Sequence, residues 1–190
     1  MLLNTNQGKI EAIVGCMKSG KTNELIRKLV RAQIAGLDVM IFKPSEDDRF
    51  SKTEVISRTG RKLDCFSVNN LSDSVDFVKE RCDVIGIDEI QFFDLAVVGA
   101  CQEIANSGVT VIFTGLTTDF LGEPFETVRD LLPVAEEITK LSAICSCGSE
   151  ANFSQRIDTQ TGEPILSGSQ VIVGDENYQP KCRKCFSNQG

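Results

Sequence analysis

A chain of 190 residues holds one ordinary domain, or one domain with a small appendage, and 41% hydrophobic with 25% charged residues is the balance of a folded protein. No apolar run approaches the roughly 20 residues that span a bilayer, and residues 1–6 lack both a basic start and a long apolar stretch, so membrane insertion and export are not expected and the cytoplasm is. A net charge of −7 weighs against a nucleic-acid partner but leaves a nucleotide site open, since phosphate needs only a local nest of N–H groups and one or two cations.

Ile10-Glu11-Ala12-Ile13-Val14 is short, apolar and β-branched and runs into a glycine-containing turn. From Lys21 to Ala35 the apolar residues Leu25, Ile26, Leu29, Val30 and Ile34 recur at helical spacing, and Gly36 is a natural stop. Val39 to Phe42 reads as a second strand ended by Pro44, and Ser72 is placed to cap a helix carrying Val75, Phe77 and Val78. Val84 to Ile87 is a further strand ending at Asp88, Leu95 to Ala105 suits a helix closed by Gly108, and Val109 to Phe113 is another strand. Continuous apolar strands alternating with amphipathic helices predict an α/β fold of the P-loop type, a mostly parallel sheet with helices on both faces. After about residue 140 helical periodicity fades and Gly, Ser and Cys accumulate, with strand-like pieces near 164–166 and 170–173. The division expected is a nucleotide-binding domain over 1–140 and a small metal-stapled lobe over 141–190.

Gly15-Cys16-Met17-Lys18-Ser19-Gly20-Lys21-Thr22 matches the phosphate-binding loop pattern in full, after a strand and before a helix as its mechanism requires. Backbone N–H groups would close around phosphate oxygens at a positive helix end, Lys21 would reach the β- and γ-phosphates, and the Thr22 hydroxyl would help hold Mg²⁺. Asp88, ending an apolar strand, stands where a Mg²⁺-supporting acid belongs, and Glu89 beside it is suited to take a proton from an attacking hydroxyl. The same pair suits an ATPase in which the Glu orients water, so these residues fix the nucleotide and leave the acceptor open.

Eight cysteines are many for a chain in a reducing compartment, and four fall in two tight pairs, Cys145-Ser146-Cys147 and Cys182-Arg183-Lys184-Cys185, with residues 148–181 between them. Four thiolates in two turns suit a tetrahedral ion; with no histidine in the chain, structural Zn²⁺ is expected. A closed four-thiolate shell leaves no position for substrate, so its role would be to hold a loop.

In family order from about Lys9 to Phe186, these segments resemble the type II thymidine kinases, the family of the human cytosolic enzyme. The resemblance is carried by the phosphate loop, Phe42-Lys43-Pro44 with Asp47-Asp48-Arg49, the stretch Ile87 to Phe92, Gly115 to Phe125, Val173 to Tyr178, and the cysteine pairs. It implies an ATP-dependent kinase that phosphorylates the 5′-hydroxyl of thymidine, with deoxyuridine as an alternative, giving dTMP in nucleotide salvage. Glu89 would be the general base, Asp88 and Thr22 would act through Mg²⁺, Arg49 would offset charge on the transferring phosphate, and Ile90 and Gln91 would join the ATP-binding residues. Phe92, Phe120 and Phe125 would enclose the base and Tyr178 the sugar side. Residues from about Ser154 to Tyr178, with Val171 and Val173, would form a lasso over thymine, bound mostly through backbone groups and pinned at both ends by zinc. The family further implies a homotetramer and feedback inhibition by dTTP.

Lys18 stands where the family often has an aromatic residue or Asn, adding a second positive charge near the phosphates, and Leu121 replaces a residue that is frequently basic. Arg58, the C-x-C spacing of the first metal pair and the single Gly174 before Asp175 resemble one branch of the family. Two other readings stand beside the kinase: a P-loop ATPase with a zinc ribbon, disfavoured by the acidic charge, and a nucleotide sensor without catalysis, disfavoured by intact Lys21, Thr22, Asp88 and Glu89.

Overall fold

The computed structural model describes residues 8–45, 54–56, 62–170 and 177–187, of which 54–56 and 62–64 by backbone alone. In chain order the regular elements are β1 (Ile10–Gly15), α1 (Lys21–Ile34), β2 (Val39–Pro44), β3 (Glu54–Ile56), β4 (Lys62–Val68), α2 (Val75–Arg81), β5 (Val84–Ile87), α3 (Ala96–Asn106), β6 (Thr110–Gly115), α4 (Glu126–Leu131), β7 (Glu137–Leu141), β8 (Ala143–Ile144), β9 (Glu150–Ala151), β10 (Phe153–Arg156) and β11 (Tyr178–Lys181). The main sheet runs β3-β4-β2-β5-β6-β1-β7. Six of its strands are parallel, and β3 adds antiparallel to β4 at one edge. No helix among the described residues is long and apolar enough to cross a membrane.

Alternation along the central strands sends successive side chains to opposite layers. Ala12 and Val14 of β1, Ile85 and Ile87 of β5, and Val111 and Phe113 of β6 join Val78, Val97, Cys101, Ile104, Val128 and Leu131 of α2, α3 and α4. Ile13, Val84 and Ile112 face the other way, onto Leu25, Leu29 and Ala32 of α1. Full burial of a Leu such as Leu29 contributes roughly 1.5–3 kcal/mol. Gly86 lets α1 come close, since a Cβ there would meet Leu29 Cδ1 at 2.5 Å.

The helix ends follow local chemistry. At the end of α1 the Leu37 and Gly36 N–H groups bond the Ala32 and Gln33 carbonyls (3.2 and 3.0 Å), with Gly36 at φ 85, so the predicted stop holds. The predicted cap at Ser72 is replaced by Asn70, whose side chain accepts from Ser72 N–H (3.0 Å) to open a 3-10 turn leading into α2. β3, β4, α4 and β7 to β11 lie outside the elements predicted from the sequence. The strand-like piece near 164–166 carries only an isolated bridge from Pro164 to Ile157, and residues 171–173 of the other piece lie outside the described residues.

The order of strands decides where a ligand fits. The chain leaves β1 towards β2, past β6 and β5, whereas β7 lies on the opposite side of β1. The crevice beyond the carboxyl ends of strands at such a reversal is where open parallel sheets bind ligands.

Candidate active site

The loop after β1 curls into α1 with Gly20 at φ 88, a left-handed conformation glycine adopts without strain. Lys21, the first residue of α1, is buried and its ammonium donates to the Cys16 carbonyl at 2.9 Å, so the cation stays folded over the loop. Ser19 Oγ is buried inside the loop without a hydrogen-bond partner, a donor suited to a phosphate oxygen.

Thr22 Oγ1 faces both carboxylate oxygens of Asp88, at 3.2 and 3.1 Å. Thr114, near the end of β6, donates its hydroxyl to Asp88 and accepts the Glu89 N–H at 3.1 Å. Burial, and then repulsion from Glu89, push the Asp88 carboxyl up to about 6, against the hydroxyls of Thr114 and Thr22 and the charge of Lys21. A carboxylate so crowded and desolvated gains from a cation, and Thr22 and Asp88 offer the hard oxygen ligands Mg²⁺ takes in such sites. Glu89 has φ 53; it and Lys18 (φ 63) are the non-glycine residues of positive φ among those described, both beside the phosphate loop. Gln91 orients Glu89: its amide nitrogen donates to Glu89 Oε2 while its oxygen accepts from Leu116 N–H at 3.1 Å. Ile90 is in the core.

The next residues of the loop tie it to the small strands. Cys16 Sγ donates to the Ala151 carbonyl (3.2 Å), Met17 N–H to Ser154 Oγ (2.9 Å) and Lys18 Nζ to the Tyr178 carbonyl (2.9 Å). The ammonium of Lys18, expected near the phosphates, therefore holds main chain of β11, and the buried Ser154 hydroxyl is engaged by the loop. Phe120 and Tyr178 are buried around the guanidinium of Arg156, Phe125 lies in the core at the start of α4, and Phe92 is half-buried while Phe93 points inward. Arg49, Val171 and Val173 lie outside the described residues.

Cys145 and Cys147 sit on the β8–β9 turn, where Gly148 at φ 86 sends its N–H to the Cys145 carbonyl (2.8 Å). Cys182 and Cys185 sit on the turn after β11, with Cys185 N–H on the Cys182 carbonyl (3.0 Å). All four sulfurs lie within 4.8 Å of one another, and Cys147 Sγ is 3.6 Å from Cys182 Sγ. Four thiolates each about 2.3 Å from a tetrahedral ion stand about 3.8 Å apart, so the donor set fits Zn²⁺. Turn N–H groups hold the Cys145 thiol well down, to about 6, while the three neighbouring sulfurs push Cys185 up to about 12, a crowding that a cation relieves; burial alone drives Cys101 up to about 12, and burial first of all drives Cys82 to about 11.

Thr114 and Arg156 were not singled out in the sequence. Thr114 looks like a strand residue until β5 and β6 pair in register and bring it beside Asp88. Arg156, one arginine among many, carries no local signal.

A strand, a phosphate loop and a helix facing a half-buried acid pair at the carboxyl edge of a parallel sheet define a P-loop nucleotide-binding protein. A family profile described as "Thymidine kinase" matches residues 8–186, and the chain belongs to the thymidine kinase family. Among its relatives are a thymidine kinase of Mycoplasma capricolum, 47% identical over 96% of this chain and 91% of that protein, and one of a Rhodothermus species, 44% identical over 94% and 81%.

Proposed function

We propose that the chain transfers the γ-phosphate of ATP to the 5′-hydroxyl of thymidine, releasing dTMP and ADP. The observation that carries this is the grouping of Lys21, Thr22, Asp88 and Glu89 at one strand edge, in a chain of this family. The loop from Gly15 to Thr22 cradles the ATP phosphates, with Lys21 against the β- and γ-phosphates. Magnesium, held by Thr22 and Asp88, supplies charge neutralisation on the phosphates when bound with ATP. Glu89, steadied by Gln91, accepts the 5′-hydroxyl proton; the hydroxyl oxygen bonds the γ-phosphorus as its bond to the ADP oxygen breaks, and Lys21 and Arg49 offset the developing charge.

In this reading Phe92, Phe120, Phe125 and Tyr178 wall the nucleoside site, and the stretch from Ser154 through Val171 and Val173 covers the base. Zn²⁺ on Cys145, Cys147, Cys182 and Cys185 pins that stretch without taking part in chemistry. Residues 1–140 then form the nucleotide-binding domain and 141–190 the zinc-bearing lobe. A cytoplasmic homotetramer restrained by dTTP completes the proposal, with no nucleic-acid or membrane partner.

The test is phosphate transfer from ATP–Mg²⁺ to thymidine beside a control lacking nucleoside. dTMP formed only when thymidine is present is the expected result. ATP hydrolysis indifferent to nucleoside would overturn the reading in favour of an ATPase.

A further inference from the structure

Arg156, at the end of β10, is the bulkiest of the fully buried side chains at 1% exposure, and no carboxylate among the described residues pairs with it. Burying a guanidinium is costly, and an apolar side chain of similar length would fill the space more cheaply. Among the described residues, contacts from three separate segments hold the charge. Its carbon lies 3.8 Å from the Phe120 ring centroid, in the loop after β6, and 5.3 Å from the Tyr178 ring centroid at the start of β11. Nε and Nη2 donate to the Tyr178 hydroxyl at 3.1 and 2.7 Å. Nη1 donates to the Ser169 carbonyl at 2.9 Å and Nη2 reaches the Gln170 carbonyl at 3.4 Å.

A planar fork that stacks on one ring while donating sideways is specific to arginine; a lysine ammonium is a compact point charge without a face to stack. We propose that Arg156 is the positioning residue of the nucleoside site, fixing the Phe120 ring, the Tyr178 hydroxyl and the chain at Ser169–Gln170 as one unit, so that it sets affinity for the nucleoside and leaves ATP binding alone. The proposal rests on the reading that Phe120 and Tyr178 wall the nucleoside site. The phosphate loop meets Tyr178 at its carbonyl, through Lys18, a bond in which the guanidinium takes no part.

The test is steady-state kinetics of Arg156→Met, Arg156→Lys and Tyr178→Phe with thymidine and ATP varied separately. Both Arg156 variants are expected to raise the thymidine KM by about tenfold or more while the ATP KM and kcat move less than about threefold. Lysine should not rescue, and Arg156→Lys should cost less in a Tyr178→Phe background than alone, because the two side chains act through one contact. Equal rises in both KM values, full rescue by lysine, or additive effects would overturn the proposal. If Arg156→Met does not fold, Arg156→Lys and Tyr178→Phe carry the comparison. Phe120→Leu separates the two ideas. If it raises the thymidine KM and the Arg156 variants do not, the role of Arg156 alone fails; if wild-type turnover ignores thymidine, the pocket reading itself fails.

Discussion

Asp88→Asn should make the protein more stable and inactive together. Loss of solvent in the crevice, and then repulsion from Glu89, raises the Asp88 carboxyl from 3.8 to about 6. Two pKa units correspond to about 3 kcal/mol, an upper bound here because Asp88 keeps partial exposure. Asparagine keeps the shape and can still bond the hydroxyls of Thr22 and Thr114, so about 1–2 kcal/mol of stabilisation is expected near neutral pH. The pH dependence has a definite sign. Between the unfolded and folded pKa values the native state binds the proton more tightly, so wild-type stability falls as pH rises from about 4 to about 6. The cost is full above that window and absent below it, and the advantage of asparagine should shrink on acidification. Guanidinium unfolding of both proteins at about pH 7.5 and about pH 5 reads this directly, as a midpoint difference that narrows at the lower pH. An Asp88→Asn variant less stable than wild type near neutrality, or an advantage unchanged at the lower pH, would refute the reasoning.

Glu89→Gln should lower kcat by about 10²–10⁴-fold with little change in the thymidine KM, since it removes the proton acceptor and keeps the bond to Gln91; near-normal turnover would remove Glu89 from that role. Freshly purified protein should carry about one zinc per chain by metal analysis, and Cys145→Ser or Cys182→Ser should lose it and unfold at lower temperature, because metal binding to such a site is folding free energy. Gly15→Ala should cost about 1–3 kcal/mol in denaturant unfolding and weaken ATP binding, since its Cβ would meet the Leu141 carbonyl oxygen at 2.4 Å and Ser19 Oγ at 2.7 Å. Unchanged stability would mean that β1 and β7 are free to spread there.

Much of the main sheet was legible because its strands are buried on both faces and read as unbroken apolar runs, as in Ile10 to Val14 and Val109 to Phe113. Edge strands gave no such signal. In β7 exposed and half-buried residues alternate, with Glu137 paired to Lys28 and Ile138 half open, so the stretch passed for a loop. Helix α4 is only 6 residues long, too short for its period to show.

By itself the sequence determined the phosphate loop, the acid pair and the two cysteine turns, because each is a local pattern whose chemistry depends on neighbours in the chain. Only the tertiary structure decided that Thr114 shares Asp88 with Thr22, that Lys18 reaches the main chain at Tyr178, and that Arg156 gathers Phe120, Tyr178 and Ser169. Those groups are brought together by strand order and by packing of β9, β10 and β11 on the phosphate loop, and no spacing along the chain records which distant residues will share a proton or charge.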